Sequence, residues 1–278
     1  MQPIGSFKLR GAYNKISTLP EAERKCGVIT YSSGNHAQGV AYAARALGVK
    51  AVIVMPNNAP KVKVDSTRGM GAEIVFVGPA SSERKQRAEE LAREHGYVIV
   101  PPYADERIIA GAGTIGLEIV EDLPEVELVL VPIGGGGCIS GIASAVKLSG
   151  TKAKVVGVEP EFANDAQQSF RAGHIVQLSA DEVTRTLADG LRTQAVGEIN
   201  FEHIRKHVDD IVTVTESDIT DAMRLMALNA KMVAEPSGAV AFAAYVKHAD
   251  ELPRAKKAVA VITGGNVEPA LLANVLTA

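Results

Sequence analysis

Short runs rich in β-branched residues alternate with longer helix-like stretches along almost the whole chain. No other feature of the sequence constrains the fold as strongly. Residues 28–31, 51–55, 73–77, 97–100, 127–132, 154–158 and 258–262 read as strands. Residues 37–47, 61–70, 81–95, 107–121, 139–147, 216–234 and 238–247 read as helices, several with a glycine just past the end. Strands separated by helices of this length form parallel βαβ units, with helices covering both faces of the sheet. The expected fold class is α/β, built from open parallel sheets.

The chain has 278 residues, enough for one large domain or two modest ones. Apolar residues make up 46%, so a packed core is available. Twenty-nine basic residues stand against 32 acidic ones, a net charge of −3, which argues against nucleic acid or an anionic membrane as a partner. Tryptophan is absent, so there is no obvious platform for stacking bases. No run approaches the ~18 apolar residues that span a bilayer. The opening residues lack the basic start and apolar core of a signal peptide. Cys26 and Cys138 match no metal-ligand spacing and read as reduced, buried thiols in a cytoplasmic protein.

In an open parallel sheet, ligands bind outside the carboxyl ends of the strands. Three strands here run into loops of unusual composition. Gly134, Gly135, Gly136 and Gly137 follow the strand at 127–132 and open a helix. Four glycines let successive N–H groups turn toward one anion, and the helix adds its positive end. The spacing is neither the dinucleotide fingerprint nor a P-loop. A plain tight turn is the simpler alternative, but four successive glycines cost much backbone entropy, which favours a phosphate cradle. Ser32, Ser33, Gly34, Asn35 and His36 follow the strand at 28–31; alone they would pass for an ordinary N-cap. Thr263, Gly264, Gly265 and Asn266 follow the strand at 258–262 and alone would pass for a turn. Lys8, in Ser6-Phe7-Lys8-Leu9-Arg10-Gly11-Ala12, precedes a helix; alone it would pass for a solvated charge.

Taken together, these segments resemble the pyridoxal-phosphate (PLP)-dependent serine/threonine dehydratase and serine racemase family, of tryptophan-synthase-β-like fold. The resemblance also rests on Ala37-Gln38-Gly39, Ile109-Ala110-Gly111-Ala112-Gly113-Thr114-Ile115-Gly116-Leu117-Glu118 and Glu235-Pro236-Ser237-Gly238-Ala239, and it covers nearly the whole chain. Ala112 departs from it, standing where a glutamine is common. The resemblance implies two α/β domains with PLP in the cleft between them: residues 1–29 with 108–278 as the larger, and 30–107 as the smaller. It makes Lys8 the Schiff-base lysine, which also moves the Cα proton. Phe7 would lie beside the cofactor ring, Asn35 would bond the ring hydroxyl, and Thr263 would face the pyridine nitrogen. Gly134 to Gly137, with the N–H of Cys138, would hold the phosphate. Ser32, Ser33, Gly34, Asn35 and His36 would take the substrate carboxylate. Ser33 matches the acid/base that racemase members place opposite the lysine.

The segment Glu159-Pro160-Glu161-Phe162-Ala163-Asn164-Asp165 is similar to the metal loop of some members. There Glu159, the Ala163 carbonyl and Asp165 would bind Mg²⁺ or Ca²⁺, which take oxygen ligands. The activity implied is β-elimination from a small β-hydroxy amino acid such as L-threonine or L-serine, giving a 2-oxo acid and ammonia. Racemisation is the alternative, as is a PLP-binding chain with little activity. Family members carry further residues ahead of the lysine, so the larger domain is expected to be short on its N-terminal side. No regulatory domain is expected after the last helix. A homodimer is the expected assembly.

Overall fold

A computed structural model describes residues 2–59, 61–78 and 81–277. It contains two four-stranded parallel sheets, and by packing the chain divides into compact units at Met1–Gly111 and Ala112–Ala278.

The first unit runs α1 (Lys8–Ser17), α2 (Glu21–Cys26), β1 (Val28–Tyr31), α3 (Asn35–Ala46), β2 (Ala51–Pro56), α4 (Lys61–Gly69), β3 (Glu73–Val77), α5 (Ser81–His95), β4 (Val98–Ile99) and the start of α6 (Glu106–Asp122). Its strand order is β3-β2-β1-β4. β2 is buried along its whole length, as a central parallel strand covered on both faces must be. One face packs on a cluster that includes Leu9, Ile16, Val40, Ile53 and Ile108, and the other on Val52, Val54, Ala88 and Leu91. α1 shares the first of these clusters and lies on α3. This is why packing groups residues 1–29 with the first sheet, a different cut from the 1–29 plus 108–278 expected by resemblance.

The second unit continues with β5 (Leu128–Pro132), α7 (Gly137–Leu148), β6 (Lys154–Pro160), α8 (Asp165–Ala172), α9 (Ala180–Val183), α10 (Glu198–His207), β7 (Asp210–Val214), α11 (Glu216–Leu225), α12 (Pro236–Lys247), β8 (Ala258–Ala260) and α13 (Pro269–Thr277). Its order is β7-β6-β5-β8, so the chain ends of β5 and β8 are neighbours. Leu128 and Leu130 pack with Val156, Val158, Val240 and Ala244 beneath α12. Burying each such side chain contributes roughly 1.5–3 kcal/mol. Gly157 sits mid-strand in β6 for a steric reason: a Cβ there would fall 2.3 Å from Ile133 Cδ1. Its absence lets Ile133, just past β5, settle onto the sheet.

The helix expected at 216–234 is shorter. Thr215 and Asp218 form a capping box at its start. After Leu225 the backbone widens into a π-turn over Met226–Ala230, and Lys231 takes the left-handed φ of 56°. The Met232 N–H closes the turn on the Met226 carbonyl, and the chain continues without helix to Glu235. That ending has no glycine, so composition gave no stop signal. Among the described residues, no helix is long and apolar enough to cross a membrane.

Candidate active site

In the first unit the expected lysine and the expected carboxylate loop are close together. Phe7 immediately precedes α1, and its ring centroid lies 5.2 Å from Lys8 Nζ. Lys8 Nζ donates to the Pro102 carbonyl at 2.7 Å. The loop at residues 32–36 leads from β1 into α3. The Ser32 N–H donates to the Val54 carbonyl, and the Ser32 hydroxyl accepts from the Gly34 N–H at 3.3 Å. Ser33, Gly34 and Asn35 are half-buried, and the space where a Gly34 side chain would point is open. A carboxylate approaching that side meets the start of α3, where N–H groups and the helix dipole favour negative charge.

His36 behaves differently from its neighbours. Its side chain is turned inward and buried, with Nε2 2.9 Å from the Val100 carbonyl. Burial first, and the nearby positive Lys8 second, push its pKa down to about 3, so the imidazole is neutral at ordinary pH. A carbonyl can only accept, so the proton sits on Nε2.

In the second unit the glycine loop is held from behind. The Gly135 carbonyl accepts from the Gly197 N–H at 3.2 Å, and the Gly136 carbonyl accepts from the Ser140 N–H at 2.9 Å. Gly136 has φ 90° and ψ −6°, a left-handed conformation that disfavours side chains. A Cβ on it would also fall 2.8 Å from the Asn200 Cβ. α7 begins at Gly137, so Cys138 lies in its first turn. Gly136 is therefore a position that only glycine fits, in a loop of small residues at a helix N-terminus, and the loop fits a phosphate dianion.

Beside it, Thr263 follows β8, is buried, and donates its hydroxyl to the Ser237 carbonyl at 3.3 Å. Ser237 Oγ in turn accepts from the Gly190 N–H at 2.9 Å, and the Gly190 carbonyl backs Gly134. Loops from β5 and β8, with the turn at Asp189–Leu191 between them, thus form one connected group.

The third expected site is also in the second unit. Glu159, the last residue but one of β6, accepts from the N–H groups of Ala166 and Gln167 at 3.0 and 2.7 Å, capping α8. Asp165 starts α8, is fully buried, and neither carboxylate oxygen has a hydrogen-bond partner of ordinary geometry. Burial, only partly offset by the backbone amides of Asp165 and Val196, pushes its pKa up to about 7. Burial and the neighbouring Asp165 raise Glu159 well above the usual carboxylate range. Ala163, in the short turn between them, is buried as well. Two buried carboxylates, one with unsatisfied oxygens, fit a hard cation. No group of three or more His, Cys, Asp or Glu side chains gathers among the described residues, so such a cation would depend on backbone oxygen and water besides.

Sequence reasoning missed the carbonyls of Val100 and Pro102 and the turn at Asp189–Leu191. Backbone acceptors leave no residue signature; the Pro101-Pro102 pair, which fixes the chain path there, was the available hint.

The model of the family described as "Pyridoxal-phosphate dependent enzyme" matches residues 1–264. The L-threonine ammonia-lyase of Thermotoga maritima is 46% identical over 268 residues, which are 96% of this chain and 66% of that protein. The serine racemase of Schizosaccharomyces pombe is 41% identical, over 96% of this chain and 81% of its own length. The solved structure of maize serine racemase superposes with a TM-score of 0.93 at 36% identity, covering 99% of this chain and 84% of that one. With the family model and these relatives in agreement over nearly its whole length, the chain belongs to the family of pyridoxal-phosphate-dependent enzymes.

Proposed function

We propose that this chain eliminates water and then ammonia from a small β-hydroxy amino acid, L-threonine or L-serine being the first candidates, to give a 2-oxo acid. Lys8 carries the cofactor. Gly134, Gly135, Gly136 and Gly137, with the N–H of Cys138, hold its phosphate; Phe7, Asn35 and Thr263 border its ring. When bound, PLP supplies an electron sink for the pair left at Cα. Ser32, Ser33, Gly34 and Asn35, with the backbone of His36, bind and orient the substrate carboxylate. Lys8 Nζ takes the Cα proton, and the β-hydroxyl departs as water.

One observation favours elimination over transamination. The polar group that follows β8 is a neutral hydroxyl, Thr263, with its own proton directed at the Ser237 carbonyl. A carboxylate at that place would hold the ring nitrogen protonated and spread the carbanion further. The less the charge is spread, the more readily the β-substituent leaves. The names of the relatives, an ammonia-lyase and a racemase, support the same chemistry at Cα. Racemisation, with Lys8 and Ser33 on opposite faces, is the second reading. Incubating the purified protein with L-threonine, L-serine and L-threo-3-hydroxyaspartate tests the choice. Oxo-acid formation exceeding the appearance of D-serine is expected. D-serine without oxo acid would replace elimination by racemisation, and neither product would replace both by a binding role.

A cytoplasmic location and a homodimer belong to the same proposal. The expectation of two buried thiols fails at Cys26, which is exposed, and holds at Cys138.

We also infer that Glu159, Asp165 and the Ala163 carbonyl take Mg²⁺ or Ca²⁺ as a structural ion. By mass action, a cation at about a hundredfold its Kd stabilises by ~2.7 kcal/mol, a rise in Tm of about 5–10 °C. Asp165→Asn should abolish that rise. Without cation the variant should be at least as stable as the wild type, because a buried carboxylate is removed. Calorimetry with added cation or EDTA decides; a wild-type Tm indifferent to both would leave the loop a metal-free pair of buried acids.

A further inference from the structure

Three hydrogen bonds converge on the short segment that leaves β4. The Val100 carbonyl accepts from Thr30 Oγ1 at 2.7 Å and from His36 Nε2 at 2.9 Å. Two residues on, the Pro102 carbonyl accepts from Lys8 Nζ at 2.7 Å. Thr30, His36 and Val100 are all buried. Between the two carbonyls stand Pro101 and Pro102, whose rings fix φ and hold the preceding residue extended. The path from one carbonyl to the other therefore has little freedom, and whatever fixes Val100 also fixes Pro102. α3 is packed directly onto the lysine as well, since a Cβ on Gly39 would fall 3.1 Å from the Lys8 carbonyl oxygen.

This arrangement suits a base better than a substrate contact. A lysine that has taken a proton becomes an ammonium in a half-buried place, and it needs an acceptor there. A backbone carbonyl at 2.7 Å supplies one, through a bond strengthened by the donor's charge. The buried imidazole, neutral and proton-bearing on Nε2, stays a donor to Val100 across the working pH range.

We propose that His36 is a positioning residue for Lys8: with Thr30 it pins residues 100–102 so that the Pro102 carbonyl receives the lysine ammonium. The proposal rests on the reading of Lys8 as the cofactor lysine and base. In the step it serves, the Cα–H bond breaks, its electron pair stays with the substrate, and a new N–H bond forms at Nζ. The ammonium rests on the Pro102 carbonyl until that proton joins the departing β-hydroxyl to make water. No outside oxidant, reductant or net proton is needed.

The test uses the full chain loaded with PLP, as wild type, His36→Leu, His36→Gln and Thr30→Val. The measurements are kcat and KM for the better of threonine and serine, the rate of Cα-proton exchange in deuterium oxide, and Tm. Loss of one hydrogen bond of ordinary net strength predicts a fall of about three- to tenfold in kcat and in exchange. That fall is expected for His36→Leu, with KM within about twofold. His36→Gln keeps an N–H donor and should recover most of the loss. Thr30→Val removes the other donor to the same carbonyl with little change of volume, so it decides the matter if His36→Leu does not fold. A KM raised tenfold at unchanged kcat would make His36 a substrate contact and overturn the proposal. Wild-type kinetics in both His36→Leu and Thr30→Val would overturn it too. If borohydride fixes the wild-type cofactor to a lysine other than Lys8, the underlying reading fails as well. If it fixes it to Lys8 and these variants are silent, only the role of His36 fails.

Discussion

Replacing Lys8 by arginine should lower oxo-acid formation by ~10³-fold or more, because one residue supplies both the covalent anchor and the base. Arginine keeps the positive charge and can still donate to the Pro102 carbonyl, the contact Lys8 makes at 2.7 Å. It cannot lose its proton near neutral pH, so it serves neither as nucleophile nor as base. The fold should survive, since the Lys8 side chain is only half-buried. Lys8→Ala should be equally inactive, but a small primary amine such as ethylamine should restore part of its activity and none in the arginine variant. Activity within tenfold of wild type in Lys8→Arg would remove this lysine from the chemistry.

The second large effect is expected at the glycine loop. Gly135 is buried, and its carbonyl is turned back onto the Gly197 N–H. Gly135→Asp places a carboxylate where the phosphate is expected. At ~4 Å and an effective dielectric of about 20, two unit charges repel by about 4 kcal/mol. Even after generous screening, PLP affinity should fall at least ~10²-fold. Gly135→Ala adds bulk without charge and should lose less. PLP titration of protein shown to be folded by circular dichroism measures both. An unchanged affinity in Gly135→Asp would place the phosphate elsewhere.

Most of the parallel framework was legible because period and punctuation agreed. β1, β3 and α5 fall where β-branched runs and a charged, glycine-closed stretch placed them. β5 and β2 read clearly because central parallel strands are continuously apolar. β7 went unread although Asp210–Val214 is rich in β-branched residues and Thr215 caps α11 directly after it. The end of α11 was hidden by a left-handed lysine where a glycine would have marked it.

The site was legible in a different way. Gly136 betrays itself by composition, since its backbone conformation and the Asn200 Cβ beneath it leave room only for glycine. Lys8, the residues at 32–36 and Thr263 were legible only as members of a set, each being ordinary alone. The inward turn of His36 was not legible, because it depends on a carbonyl 64 residues away. Nor was the solitude of the Asp165 oxygens, since a sequence shows two acids but not the burial that isolates one of them.

The central claim is that Lys8 carries the cofactor. Borohydride reduction of the yellow, PLP-loaded protein, followed by proteolysis and mass spectrometry of the peptides, tests it most directly. The predicted result is a single phosphopyridoxyl adduct on the peptide Ser6-Phe7-Lys8, located at Lys8. An adduct on any other lysine, or PLP that washes out after reduction, would contradict it.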